Sequence, residues 1–153
     1  MKYKKSQIGW VVLLIFALII ILPYLVYANQ WGNNPLPSTP FLVLVSIFVV
    51  ICFMFYKLTV ELSSSTLKLT YGIGLIRIKL KIDELEQAEI IKIPWYYGLG
   101  IRLTPKGMLY NVQGAKAVSI EYTSNGKRKS VMVGSPEPER LKKALEENWI
   151  KQH

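Results

Sequence analysis

Few residues in this chain could do chemistry, and their positions argue against it. The single histidine, His153, is the last residue, where no neighbour orients it as a general base. The single cysteine, Cys52, excludes an intramolecular disulfide and a zinc-holding cysteine cluster. It sits in a long apolar run and reads as a small apolar residue facing lipid or a neighbouring helix, with palmitoylation as the alternative. Asp83, Glu84, Glu86 and Glu89 are the densest carboxylates outside the C-terminal segment. Carboxylates doing acid–base work need a pocket and a raised pKa. The run Ile82-Asp83-Glu84-Leu85 reads instead as a corner between strands. Gly72-x-Gly74 and Gly98-x-Gly100 lack the strand-to-helix setting of a dinucleotide loop and read as turns. The expectation is therefore no catalytic residue, no metal, no cofactor and no enzyme.

Binding chemistry has two candidate segments. Arg77, Lys79 and Lys81 alternate with Ile76, Ile78 and Leu80, which puts three cations on one strand face. Such a stripe suits anionic lipid headgroups, each basic residue contributing about 1 kcal/mol near a charged leaflet. Its plain alternative is a solvated strand face. The second segment is Trp95-Tyr96-Tyr97-Gly98-Leu99-Gly100, with Arg102 directly after it. These aromatics suit the interfacial layer of a bilayer or a protein partner; alternatively they fold back and close the β structure. Arg102 either holds an acidic partner or pairs inside the domain.

The elements that would carry these segments follow from charge and period. Net charge is +9 over 153 residues, and residues 6–56 contain no charged side chain. Lys2, Lys4 and Lys5 precede that run, while 16 basic and 10 acidic residues follow from Lys57 onward. The mean hydropathy of +0.26 thus averages two unlike halves. This excludes an ordinary soluble domain, a disordered chain and a disulfide scaffold. Residues 8–28 are long enough for a helix that crosses a bilayer, which takes about 20 apolar residues. Residues 40–58 are shorter and span if Lys57 snorkels. The linker, residues 29–39, is polar, uncharged and rich in Pro and Gly. With no ionisable group inside either span, the pair reads as an anchor hairpin rather than an ion path.

Lys2, Lys4, Lys5 and Lys57 flank one side of this hairpin, and the linker has no Lys or Arg. The positive-inside rule then predicts a multi-pass plasma-membrane protein with both termini cytosolic. Trp10 and Tyr56 would mark the inner interface, and Tyr24, Tyr27 and Trp31 the outer one. A signal peptide ending at Ala28 is the competing reading, but its apolar core would exceed the usual length of about 7–15 residues. Residues 1–7 are then a basic cytosolic tail, 8–58 the hairpin and 59–153 a cytosolic domain. Facing an anionic inner leaflet, the basic balance is better read as an address at a membrane than as a nucleic-acid surface.

From Lys57 the period changes to two. Residues 66–71, 75–82, 86–93, 101–104, 108–113, 117–122 and 128–133 read as strands. Gly72-Ile73-Gly74 is a hairpin turn, and Ser124-Asn125-Gly126-Lys127 carries the Asn-Gly signature of a type I′ turn. Ser135-Pro136-Glu137-Pro138-Glu139 reads as a helix start, and Leu141, Ala144, Leu145 and Trp149 give that helix one apolar face. About seven antiparallel strands and a C-terminal helix predict a small barrel or sandwich with the helix plugging an open end.

That order resembles a pleckstrin-homology-like (PH-like) domain, and the whole chain resembles the bacterial PH-domain proteins that join two membrane helices to one such domain. The resemblance rests on Gly98-Leu99-Gly100-Ile101-Arg102, on Tyr110-Asn111-Val112-Gln113-Gly114 with Ala117-Val118, and on Val133-Gly134-Ser135-Pro136-Glu137-Pro138 with Leu141. It implies a membrane α-hairpin plus an α+β, PH-like barrel or sandwich, and no enzyme. The family's members often have Thr and an acid where this chain has Ser135 and Pro136. Some membrane-anchored relatives are associated with protection against bacteriocins or envelope stress. The functional expectation is a membrane-anchored scaffold that binds a protein partner or a second copy of itself. The alternatives are an anionic-lipid sensor, through Arg77, Lys79 and Lys81, or a bacteriocin-immunity or envelope-stress protein. The lipid bilayer is its expected surrounding, with no nucleic acid.

Overall fold

A computed structural model of the chain describes residues 3–33 and 37–150. Strand β1 (Tyr3–Ile8) leads through Gly9 into helix α1 (Trp10–Ala28), and helix α2 (Ser38–Phe55) leads through Tyr56 into β2 (Lys57–Ser63). Then come β3 (Thr66–Tyr71), β4 (Ile76–Lys81), β5 (Glu84–Lys92) and a 3-10 turn (Trp95–Tyr97). Strands β6 (Gly100–Thr104), β7 (Gly107–Asn111), β8 (Lys116–Ser124) and β9 (Lys127–Gly134) precede helix α3 (Pro138–Ile150). Lys2, linker residues 34–36 and His153, all used in the sequence reading, lie outside the described residues.

The strands form two sheets, ordered β1-β2-β3-β4 and β5-β8-β9-β7-β6. All pairings are antiparallel except β7 with β9. The core lies between the sheets. Leu58, Val60, Leu62, Leu67, Leu69 and Tyr71 from the first meet Tyr110, Val118, Ile120, Tyr122, Val131 and Val133 from the second. Helix α3 adds Leu141, Ala144, Leu145 and Trp149, the face read from its spacing. Pro138 opens α3 at the first helical position, where its missing N–H costs nothing, and Glu139 lies in the positive first turn.

Several expectations need correcting. Among the described residues the strands number nine rather than about seven, one pairing is parallel, and the two sheets do not close into a barrel. Residues 3–7, read as part of a basic tail, and Ile8, read as the first residue of the first membrane helix, are strand β1. Lys57 and Leu58, read as the end of the second helix, begin β2. The physical reason is that β1 (YKKSQI) has only Tyr3 as an apolar inward residue, so its alternation is weak. Strand β2 (KLTVELS) alternates well, but it directly follows an apolar helix whose pattern absorbs its first residues.

Both α1 and α2 are long and apolar enough to cross a membrane. Val12 is the one buried residue of α1, and α2 has none, so both helices are apolar on surfaces that the rest of the chain leaves uncovered. They touch through Phe16 and Phe48, edge to face at 6.3 Å, and through Tyr27 stacked on Phe41 at 4.6 Å.

The helix pair is spliced into a sheet. Ile8, the last residue before the α1 turn, pairs with Lys57, the first strand residue after α2, and the pairing continues to Tyr3 and Leu62. At the root, the Gly9 N–H donates to the Tyr56 carbonyl at 2.7 Å and the Trp10 N–H donates to Gln113 Oε1 at 2.7 Å. The Gly72 N–H donates to the Lys57 carbonyl at 2.7 Å, so the β3–β4 turn presses on the last turn of α2. Phe55 packs edge to face on Tyr71 at 5.9 Å. No linker separates helices from domain.

Candidate functional site

The register of the first sheet sorts its residues into faces. Lys4, Glu61, Lys68 and Lys79 make one row across the four strands, and Ser6, Thr59, Thr70 and Arg77 the next. Ser63, Thr66 and Lys81 lie beyond the first row, and Ile8 with Lys57 at the helix end. All these side chains point away from the core, because their strand neighbours are the core residues named above. Arg77, Lys79 and Lys81 thus belong to a larger face holding six basic residues (Lys4, Lys57, Lys68, Arg77, Lys79, Lys81) and one acid, Glu61. Single-strand periodicity finds the stripe on β4. Register alone adds Lys4, Lys57 and Lys68.

Local partners differ along this face. Arg77 Nε donates to the Gly74 carbonyl at 2.8 Å, which ties the guanidinium over the β3–β4 turn. Lys81 pairs with Asp83 at 3.3 Å, and Lys4 approaches Glu61 at 3.8 Å. Lys68 and Lys79 lie directly opposite each other, and neither forms an ion pair among the described residues. Like charges placed across a ladder are destabilising. The sheet therefore carries a cationic centre that an anion would relieve.

The aromatic segment divides in two. Tyr97 folds onto the outer face of the second sheet, against the cluster of Ile93, Leu109, Ala117 and Met132. Trp95 and Tyr96 project, with Trp95 91% exposed. The three rings contact each other edge to face at 6.1 and 5.1 Å, so Tyr97 anchors the other two. Arg102 lies on β6 at the edge of that sheet, and its Nε donates to the Leu99 carbonyl at 3.3 Å. It forms no ion pair among the described residues. The two candidate segments lie on different sheets and do not converge on one site.

The carboxylates near residue 83 have structural partners. Asp83 Oδ2 accepts the Asn125 N–H at 2.7 Å. That bond and the Lys81 ammonium hold its carboxyl below the usual range. Glu86 accepts from Thr123 at 2.8 Å and pairs with Arg128, while Glu89 accepts from Gln87. Asn125 (φ 52°) and Gly126 (φ 72°) both take the left-handed conformation that a type I′ turn requires. Comparison of the chain with family models, with curated proteins and with solved structures gives no match.

Proposed function

We propose that this protein is a membrane-anchored, non-enzymatic interaction protein. Its helices cross the plasma membrane as an anchor hairpin, both termini are cytosolic, and its PH-like domain is held against the inner face. The observation that carries this reading is the splice of both helices between neighbouring strands of one sheet. A domain joined without a linker keeps a fixed height and orientation at the bilayer, which suits presenting a surface. Lys57 at the helix root, with Lys4 and Lys5 on the strand that leads into α1, supports the cytosolic assignment. The surface presented is the cationic face of the first sheet, and the partner it suits is an acidic protein segment.

Two measurements test this. In a Cys52→Ser background, a membrane-impermeant maleimide should label Ser38→Cys in intact cells and leave Lys127→Cys unlabelled until lysis; the opposite pattern overturns the orientation. Crosslinking in intact membranes should give an adduct through an acidic peptide, and Lys68→Glu with Lys79→Glu should abolish it. An adduct indifferent to both charge reversals rejects the cationic face as the docking surface. The second reading, anionic-lipid sensing, draws on Lys57 and Arg77, which lie closest to the helix roots. It expects added anionic vesicles to bind the detergent-solubilised chain at low salt, where screening is weakest, and Arg77→Glu with Lys79→Glu to abolish that binding.

A further inference from the structure

A cavity of about 290 Å³ lies where the first two turns of α1 meet β6. Val12, Ile15 and Phe16 of α1, Phe55 of α2 and Ile101 give it apolar walls, and among the described residues Arg102 is the one charged residue lining it. The Arg102 guanidinium uses Nε on the Leu99 carbonyl, and no bond to its two terminal nitrogens is present among the described residues. A pocket with apolar walls and a single unpaired fork of donors calls for an amphiphile with one anionic group. Two of its walls are the roots of membrane-length helices, so the molecules that meet its mouth are those of the bilayer.

We propose that this cavity seats one anionic phospholipid, with its phosphate on Arg102 and an acyl chain between α1, Phe55 and Ile101. The inference rests on the membrane-anchored reading above and adds a site to it, apart from the cationic face of the first sheet. Charge complementarity selects the headgroup. A guanidinium grips phosphate through paired hydrogen bonds, while among the described residues no carboxylate lines the cavity to receive the cation of a zwitterionic headgroup. Trp95 and Tyr96, exposed in the segment that leads into β6, are the side chains favoured at headgroup depth.

The test reconstitutes the full chain into nanodiscs of equal phosphatidylglycerol and phosphatidylcholine with matched acyl chains. Native mass spectrometry then measures the lipid retained on release. One phosphatidylglycerol per chain is expected in preference. Arg102→Gln should reduce that preference about tenfold, the scale of a lost charged hydrogen bond, and Arg102→Lys should restore part of it. Ile15→Trp, which fills the cavity, should block retention of both lipids, while Lys106→Gln should change nothing. Circular dichroism confirms that each variant is folded. Equal retention of the two lipids, or a preference unaltered by Arg102→Gln and Ile15→Trp, overturns the site. Extraction of the chain from native membranes by alkaline carbonate overturns the anchored reading and this site with it. A chain that resists carbonate yet retains no preferred lipid overturns the site alone.

Discussion

Two glycines with the same strained backbone separate conformation from contact. Gly72 (φ 56°) and Gly126 (φ 72°) are both left-handed, which costs a side-chain-bearing residue roughly 1–2 kcal/mol. A Cβ on Gly126 meets nothing within 4 Å, whereas one on Gly72 would lie 2.0 Å from the Phe53 carbonyl oxygen, at the last turn of α2. Gly126→Ala should therefore cost about 1 kcal/mol, and Gly72→Ala at least twice that, since backbone must move. Thermal unfolding of the two variants checks the ratio, and equal costs would mean the turn does not press on the helix. Asp83 carries a pH-dependent prediction. Its carboxyl is depressed in the folded chain by the Asn125 N–H and by Lys81. A depressed carboxylate contributes stability above its unfolded pKa and loses it as pH falls through the folded value. The stability gap between wild type and Asp83→Ala should be largest near neutral pH and shrink below about pH 4.

Among the elements, β1 is the one whose sequence least announces it, and its anchors are few enough to test singly. The Tyr3 hydroxyl and Ser135 Oγ are hydrogen-bonded at 2.9 Å, and Lys5 pairs with Glu137 at 2.8 Å, so the strand is clasped to the approach to α3. Burial raises the Tyr3 phenol pKa, and the Lys5 hydrogen bond lowers that of the Glu137 carboxyl. Tyr3→Phe should cost about 1 kcal/mol, the net worth of one hydrogen bond. Tyr3→Ala should cost about 3 kcal/mol or more, because the ring itself caps the core row begun by Leu62. Denaturant unfolding of both variants distinguishes a strand held by its ring from one held by its hydroxyl. Neither effect is legible in the run Lys4-Lys5-Ser6-Gln7, which lacks an apolar stripe.

For the molecule as a whole, the splice makes a sharp prediction. Ile8 and Lys57 are direct antiparallel partners, so a two-residue type I′ turn fits between them. Joining Ile8 to Lys57 by Asn-Gly in place of residues 9–56 should give a soluble domain with one cooperative thermal transition. A chain that begins at Lys57 lacks Tyr3 and the strand beside Leu58, Val60 and Leu62, and should be less stable by about 3 kcal/mol or more. Equal stability of the two would show that β1 is an ornament of the fold. In this view the helix pair, long and apolar enough to cross a membrane, is a long insertion at a hairpin tip.

The amino-acid order by itself determines the local features: two uncharged runs of membrane length, seven alternating segments, the Asn125-Gly126 turn and the amphipathic face of α3. Each is readable because its physics is local, a period of 2 or 3.6 or a backbone conformation demanded by a few adjacent residues. The resemblance to a PH-like order rests on the same local signals. Tertiary structure decides what joins residues distant in the chain. It pairs β1 with β2 across 48 intervening residues, runs β7 parallel to β9, and sets Lys68 opposite Lys79. It also gathers Val12, Phe55 and Arg102 around one cavity while leaving Trp95 apart from the basic stripe. Such placements depend on register and sheet order, which no window along the chain contains. Both proposed surfaces are therefore features of the folded molecule, and their individual charges are features of the sequence.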